Sequence, residues 1–181
     1  MRNPLIPLTA ICLVATCAAF AAGAAEKPVS GAQWTGKVTY VSDGDTVWVR
    51  RASDSKPVRI RIDGVDAPEI CQAYGLTARK ALAARLRNQT VNVQSLGRDN
   101  FGRLLARVTT VQKVKGSTDV GEWLVREGHA WSYRYRRDGG PYAKQQATAQ
   151  AARKGLFSSV HPQEPREFRK RHGTCSDALD K

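Results

Sequence analysis

Cysteine and histidine are scarce in this chain, which argues against a zinc-binding protein. There are 4 cysteines and 3 histidines among 181 residues, with no CxxC pair and no cluster of histidines. Structural zinc sites need several such ligands at short, regular spacings. The chain also lacks internal repeats and any linker long enough to separate two domains. The sequence therefore predicts a single domain whose fold does not depend on zinc.

Long apolar runs are absent after the N-terminal segment. Residues 5–20 are almost continuously apolar, follow the basic Arg2 and precede the small residues at 21–25. This three-part pattern is typical of a secretory signal peptide, and the run is shorter than the ~20 residues that span a bilayer. We therefore expect a cleaved signal peptide at 1–25. The mature protein would be exported to the periplasm or the medium and would have no stable membrane association.

Acidic residues are also few, 16 against 29 lysines and arginines, which gives a formal net charge of +13. Removal of the signal peptide takes away only Arg2 among these charges, so the mature chain stays strongly basic. A basic surface raises the local concentration of polyanions and speeds their capture. Nucleic acid is the first candidate partner, and acidic lipid surfaces are the second.

Two cysteines remain after signal cleavage, because Cys12 and Cys17 lie inside the signal peptide. In an oxidising compartment, Cys71 and Cys175 can form a disulfide. Such a bond would hold the C-terminal segment close to the residues around Cys71. Two free thiols are the alternative, and the spacing does not decide between them.

Five segments have the composition of β-strands. Residues 34–41, 46–50 and 58–62 are joined by short polar turns and predict an antiparallel meander. Residues 91–96 and 104–111 return to β character and are separated by another polar turn. Five short strands of this kind favour a small barrel.

Three segments predict helices. Residues 76–86 are modestly amphipathic, with Thr77 as a candidate cap. Asp119 and Glu122 have the spacing of a capping box before an apolar run, and residues 142–154 lie between a proline and a glycine. Together with the strands, they predict an α+β fold, a five-stranded Greek-key barrel of the OB type with about three helices.

The domain boundaries follow from this pattern. We expect a flexible leader at 26–33, the barrel domain at 34–158 and a C-terminal tail at 159–181. The tail contains two prolines and many charges. We therefore expect it to run extended along the surface.

Two acidic stretches stand out against the basic background: DGDT at 43–46 and DAPE at 66–69. Asp45 and Asp66 lie at the ends of different predicted strands, as the ligands of a folded metal site must. Carboxylate and carbonyl oxygens are what Ca²⁺ binds, usually about six to eight of them. The carbonyl of Ala67, water and a substrate phosphate would complete the shell. The alternative is that both aspartates only make hydrogen bonds in turns.

Glu69 and two arginines are the candidate catalytic residues. Pro68 fixes the backbone between Asp66 and Glu69, so one carboxylate could hold a metal while Glu69 positions or deprotonates a water. Glu69 could instead only begin a helix. The guanidinium groups of Arg61 and Arg103 match phosphate oxygens and would stabilise the charge of a five-coordinate transition state. These residues predict a metal-assisted phosphodiesterase that acts on nucleic acid.

The segments at 43–46, 61–69 and 101–103 occur in an order and spacing that resemble the staphylococcal nuclease family, and GLF at 155–157 resembles the end of that domain. The resemblance covers roughly residues 35–157. It implies an OB-fold barrel with five strands and three helices. It also implies Ca²⁺-dependent hydrolysis of DNA and RNA, in which water attacks phosphorus and the 5′-oxygen leaves.

The resemblance implies a role for each candidate residue. Two carboxylates and a carbonyl would hold Ca²⁺, a glutamate would act on the attacking water, and two arginines would bind the scissile phosphate. The implied metal ligands are Asp45, Asp66 and Ala67, and the implied catalytic residues are Arg61, Glu69 and Arg103.

The sequence departs from the family pattern at several positions. Ala67 stands where a threonine is often found, which matters little if only its carbonyl binds. Asn100 and Phe101 replace a Lys-Tyr pair that contacts a terminal phosphate. Tyr133 and Tyr135 fall near the family's substrate-contacting tyrosines, where they could stack on bases or pack at the rim.

Two other functions are compatible with a basic OB-fold domain. Degenerate copies of the fold bind nucleic acid without cutting it, but they usually lose the acidic or arginine positions, all of which are present here. A protein that adheres to polyanions through its basic face is the other candidate. It would show no response to Ca²⁺ or to a chelator. We expect a monomer with DNA and RNA as substrates.

Overall fold

The computed structural model describes residues 31–112, 117–133 and 139–175, so the predicted signal peptide lies outside the described residues. The described chain contains seven strands: β1 (Gln33–Val41), β2 (Thr46–Arg50), β3 (Val58–Ile62), β4 (Val65–Asp66), β5 (Thr90–Arg98), β6 (Leu104–Thr110) and β7 (Trp131–Ser132). Five of them close into a barrel in the order β1-β2-β3-β6-β5. The remaining two, β4 and β7, form a short antiparallel ladder beside it.

The strand pairing confirms the predicted α+β barrel. Strands β1, β2 and β3 form the antiparallel meander, β5 pairs antiparallel with both β1 and β6, and β3 closes the barrel by pairing in parallel with β6. Gln33 pairs with Gln94, and the N–H of Gly31 donates to the carbonyl of Ser95 at 2.7 Å. The last residues of the predicted leader therefore extend the sheet, whereas residues 26–30 lie outside the described chain.

The barrel interior is filled by branched apolar side chains that alternate along the strands. Successive residues of a strand point to opposite faces, so every second residue enters the core. The buried set includes Val38, Val47, Val49, Ile60, Ile62, Val91, Val93, Leu104, Ala106 and Val108. This tight interior makes the barrel a rigid support for the turns at its rim.

The three predicted helices are present: α1 (Gly75–Leu86), α2 (Val120–Arg126) and α3 (Ala143–Ala151). Asp119 caps α2 as predicted and accepts a hydrogen bond of 3.0 Å from the N–H of Glu122. The prediction that Thr77 caps α1 was wrong. That helix begins after Tyr74, which has a φ of 72° and makes no capping hydrogen bond with its side chain. No helix in the described ranges has the length and apolar character needed to cross a membrane.

The prediction of an extended C-terminal tail was wrong, because residues Pro165–His172 form a fourth helix, α4. Pro165 begins the helix and is buried, and Glu167 lies in its first turn. Its last turn is basic, which complements the helix dipole. A disulfide between Cys71 and Cys175, with 6.0 Å between the Cα atoms, joins the segment after α4 to the segment before α1.

Candidate active site

The turn between β1 and β2 carries the first acidic segment. The N–H of Asp45 donates to Oδ1 of Asp43 at 2.9 Å, a local contact that aspartate commonly makes in turns. Gly44 leaves no room for a side chain, because a Cβ there would lie 2.6 Å from the Cβ of Ala67. The turn therefore packs directly against the second acidic segment.

The second acidic segment is positioned by the ladder of β4 and β7, in which Asp66 pairs with Trp131. The N–H of Ala67 then donates to Oδ2 of Asp45 at 3.0 Å. The carbonyl of Asp45 accepts a further hydrogen bond of 2.9 Å from the N–H of Ile62 in β3. The backbone thus brings the two predicted metal-ligating aspartates, from separate segments, to one place.

Arg61 lies between these two aspartates and is largely buried. Its Nη1 forms an ion pair with Oδ2 of Asp45, and its Nη2 lies 3.3 Å from Oδ1 of Asp66. Nη2 also donates to the carbonyl of Val65 at 3.0 Å, which fixes the guanidinium to the backbone. Both carboxylates therefore converge on a single positive charge.

Glu69 lies in a tight turn just before α1, not inside the helix. The N–H of Gln72 donates to the carbonyl of Glu69 at 2.8 Å, and the N–H of Glu69 donates to Oε1 of Gln72 at 3.1 Å. Gly75 is required here, because a Cβ at this position would lie 1.9 Å from the carbonyl oxygen of Glu69. The turn directs the Glu69 carboxylate into the same cleft as Arg61.

Arg103 follows the hairpin between β5 and β6 and is held by Asp99. Its Nε donates to Oδ2 of Asp99 at 2.7 Å, and its N–H donates to Oδ1 at 2.9 Å. Its Nη1 lies 3.3 Å from the hydroxyl of Thr46, and the guanidinium is stacked 5.4 Å from the ring centre of Phe101. The guanidinium is therefore oriented by three neighbouring contacts at the cleft, and the backbone by a fourth.

A third arginine, which the sequence reasoning missed, enters the site from α4. Nη1 and Nη2 of Arg169 donate to Oδ1 and Oδ2 of Asp66 at 3.1 and 3.0 Å. Nη1 also donates to Oε1 of Glu69 at 2.9 Å. The only signals in the sequence were its place in a basic segment and the proximity that the Cys71–Cys175 disulfide imposes.

Five of the six candidate residues share one open cleft of about 500 Å³ on the barrel rim. Asp66 instead lines a smaller neighbouring pocket beneath α4, while its carboxylate reaches both arginines from the side. The predicted site residues that line the cleft are Asp45, Arg61, Ala67, Glu69 and Arg103. The structure therefore brings all six predicted residues together.

Three further positions named from the sequence also line this cleft: Asn100, Phe101 and Tyr133. Phe101 and Tyr133 are 76% and 43% exposed, so part of each residue is open to a ligand. Tyr135 lies outside the described residues. An exposed aromatic ring beside a basic cleft is suited to stacking on an unpaired base.

Burial shapes the charges of the site. Burial raises the pKa of Asp43, although the nearby Arg61 favours its charged form. Burial also lowers the pKa of Arg61, and Asp66 opposes that change. For Arg169, burial acts against the charge, but hydrogen bonds to Asp66 and Glu69 outweigh it and hold the pKa above its ordinary value. Acidic and basic groups thus depend on each other for their charge.

The donor set fits a hard divalent cation. The groups available are carboxylate oxygens of Asp45 and Asp66 and a backbone carbonyl at Ala67, which are the ligand types that Ca²⁺ takes. Both aspartates already face the guanidinium of Arg61, and Asp66 also faces that of Arg169. Within the described ranges, no group of three or more His, Cys, Asp or Glu side chains is arranged to hold a metal. Water and substrate would therefore have to supply the other ligands.

Comparison with known proteins agrees with this geometry. Residues 59–159 match the family described as staphylococcal nuclease homologue. A micrococcal nuclease of Shigella flexneri is 35% identical over 147 residues, covering 77% of this chain and 82% of the relative. Protein ParB of Escherichia coli is 34% identical over 152 residues, covering 81% and 85%. An uncharacterized endonuclease of Escherichia coli O157:H7 is 33% identical over 144 residues, covering 80% and 90%.

The barrel, the acid–arginine cleft and these relatives define a hydrolase of the phosphodiesterase class. The chain belongs to the staphylococcal nuclease family.

Proposed function

We propose that this enzyme is an exported, Ca²⁺-dependent nuclease that hydrolyses phosphodiester bonds in DNA and RNA. The observation that carries the proposal is the convergence of Asp45 and Asp66 on the guanidinium of Arg61, with Glu69 and Arg103 lining the same cleft. Guanidinium groups beside carboxylates in an open cleft are suited to binding phosphate together with a cation. The strongly basic chain supports a polyanionic substrate.

In this proposal, Asp45, Asp66 and the carbonyl of Ala67 hold Ca²⁺, which supplies positive charge to a phosphate oxygen. Arg61 and Arg103 bind the scissile phosphate. Arg61 is supported by the carbonyl of Val65 and Arg103 by Asp99, so both positive charges lie at the cleft before substrate binds and can stabilise the charge of the five-coordinate transition state.

Glu69 orients the attacking water and accepts its proton. The water oxygen bonds to phosphorus, the bond from phosphorus to the 5′-oxygen breaks, and the leaving oxygen takes up a proton from solvent water. The products are a 3′-phosphate and a 5′-hydroxyl. The tight turn before α1 supports this role, because it fixes the glutamate backbone while the carboxylate reaches the cleft.

The test is Glu69→Gln, which keeps the shape of the side chain and removes its charge. We expect turnover of single-stranded DNA to fall by at least about a hundredfold, the range for loss of a general base, with DNA binding retained. The matched control is Glu167→Gln on α4, which removes a surface glutamate paired with Lys170. Equal loss of binding and turnover would make Glu69 structural. Unchanged turnover would show that Glu69 has no catalytic role.

Export and a monomeric state are part of the same proposal. The N-terminal apolar segment and the disulfide between Cys71 and Cys175 support export, because disulfides persist in oxidising compartments. Mass spectrometry of the protein recovered from cells would show a mature chain that begins near residue 25. Light scattering would show a particle of monomer mass. Retention of the N-terminal segment, or a dimer mass, would contradict these points.

A further inference from the structure

Arg169 forms a bidentate ion pair with Asp66, which is one of the predicted metal ligands. Both terminal nitrogens of Arg169 are engaged, one on each oxygen of Asp66, and one of them also reaches Glu69. Fork-to-fork pairs of this kind are among the stronger ion pairs in proteins. The arginine therefore occupies the same oxygens that a cation at this site would use.

The structure holds Arg169 in this position from both ends of α4. On the N-terminal side, Nε2 of Gln72 donates to the carbonyl of Gln163 at 2.8 Å, and Pro165 is buried. On the C-terminal side, the disulfide between Cys71 and Cys175 anchors the chain. Both anchors, Cys71 and Gln72, lie within three residues of Glu69 along the sequence. The helix is thus fastened to the acidic segment that its arginine neutralises.

Arg61 contacts the same aspartate but is held differently. It extends from the barrel strand β3, and its Nη2 donates to the carbonyl of Val65, so its position is supported without Asp66. Within the described part of the chain, the side-chain hydrogen bonds of Arg169 go to the carboxylates of Asp66 and Glu69. A divalent cation at Asp66 would repel both guanidiniums, since like charges a few ångströms apart interact strongly where water is largely excluded. The cation would replace the hydrogen bonds that hold the Arg169 side chain, whereas Arg61 would keep its bond to the carbonyl of Val65.

We propose that Arg169 sets the affinity of this site for divalent cations. The arginine and the cation are alternative partners of Asp66 and Glu69, and the Cys71–Cys175 disulfide keeps the arginine at a high local concentration beside them. This inference rests on the proposed Ca²⁺ site. It adds a residue outside the barrel, on α4, that weakens cation binding and that a cation must displace.

The test is calorimetric titration of the oxidised protein with Ca²⁺ alone, without nucleic acid. We expect Arg169→Gln to bind Ca²⁺ about tenfold more tightly than the unmodified protein, a change readily resolved by calorimetry. The matched control is Arg171→Gln, which removes the same charge from an exposed position on the same helix. We expect that variant to differ by less than about twofold, because exposed charges are screened by salt.

Unchanged or weaker binding in Arg169→Gln would overturn the inference, since the arginine would then be neutral or would position Asp66 for the metal. An equal increase in Ca²⁺ affinity in Arg171→Gln would also overturn it, because the effect would then come from the change in net charge. Cys175→Ser tests the same competition with Arg169 in place. We expect its Ca²⁺ affinity to shift in the direction of Arg169→Gln, by a smaller factor.

A second measurement uses the unmodified protein. Hydrogen exchange of the α4 amides should become faster in saturating Ca²⁺, because displacement of Arg169 removes a contact that holds the helix. Slower or unchanged exchange would contradict the inference. Cleavage of DNA by the unmodified protein in saturating Ca²⁺ reports separately on the proposed function. Cleavage without a shift in affinity would therefore overturn only the role of Arg169.

Discussion

The N–H of Ala67 donates to Oδ2 of Asp45 across 3.0 Å, and this contact joins the two acidic segments of the chain directly. It fixes the direction of the Asp45 carboxylate, which also pairs with Arg61. A backbone donor cannot be reoriented by a change of rotamer. The position of this donor is set by the ladder of β4 and β7 beside the barrel, and such backbone support is what a metal site with few protein ligands requires.

Gly44→Ala tests how closely the two segments must approach. The new Cβ would lie 2.6 Å from the Cβ of Ala67 and 3.0 Å from that of Ala78, so the turn must move away. We expect a loss of about 1–3 kcal/mol in the free energy of unfolding, typical of overpacking, together with lower turnover. Urea denaturation and initial rates measure the two effects. Wild-type stability and rate would show that the contact is not required.

The ion pair between Asp99 and Arg103 predicts that substitutions at these two residues have strongly coupled effects on turnover. Partial burial acts against the charge of Asp99, but hydrogen bonds from Arg103 outweigh it and hold its pKa below its ordinary value. Asp99→Asn leaves Arg103 with weaker positioning, so we expect turnover to fall by about tenfold with little change in KM. In an Arg103→Lys background, Asp99→Asn should cost less than about twofold. Additive losses in the double variant would show that Asp99 acts independently of Arg103.

Reduction of the disulfide should lower stability more than activity. The bond joins Cys71 to Cys175 across 104 positions, so it restricts a large part of the unfolded chain. We expect the replacement of both cysteines by alanine to cost about 2–5 kcal/mol in the free energy of unfolding. Turnover in saturating Ca²⁺ should be largely retained, because neither sulfur belongs to the proposed catalytic groups. Equal melting temperatures for the oxidised and reduced proteins would contradict this expectation.

The environment of His129 predicts that the free energy of unfolding falls in mild acid. Its burial lowers its pKa from the ordinary 6.5, and Glu127 opposes this only in part. The unfolded chain therefore takes up a proton below pH 6.5 more readily than the folded chain does. This contribution to stability is present above pH 6.5 and is lost as the pH falls towards the pKa of the folded state.

The expected result is a fall in the free energy of unfolding between about pH 7 and 5, above the range in which most carboxylates titrate. The fall should be shallower in His129→Gln. Proton NMR of the ring gives a direct check, with a titration midpoint below 6.5 in the folded protein. A midpoint at or above 6.5 would contradict the effect of burial.

Much of the fold and of the site could be predicted from local sequence. The Val-Trp-Val run within residues 46–50 and the alternation along 58–62 identified barrel strands, and the capping pair of Asp119 and Glu122 located the start of α2. The acidic segments could be selected because carboxylates are rare in this basic chain. Each of these signals lies within a few residues, where spacing alone carries the information.

Arg169 and α4 could not be predicted in the same way. The helix has only eight residues and is almost entirely polar, with Phe168 as its one large apolar side chain, so it shows no apolar stripe. It depends on tertiary contacts: a buried Pro165, the arginine fork and a disulfide to a cysteine 104 positions away. Among 29 lysines and arginines, nothing local distinguishes Arg169. Its partners are 100 and 103 residues away in sequence.

The most direct test of the central claim is the hydrolysis of single-stranded DNA by the mature protein, first with Ca²⁺ and then with excess chelator. The account predicts cleavage that requires Ca²⁺, stops when the chelator is added and returns when Ca²⁺ is restored. Tight binding of the DNA without cleavage in Ca²⁺, or cleavage that the chelator does not affect, would contradict it.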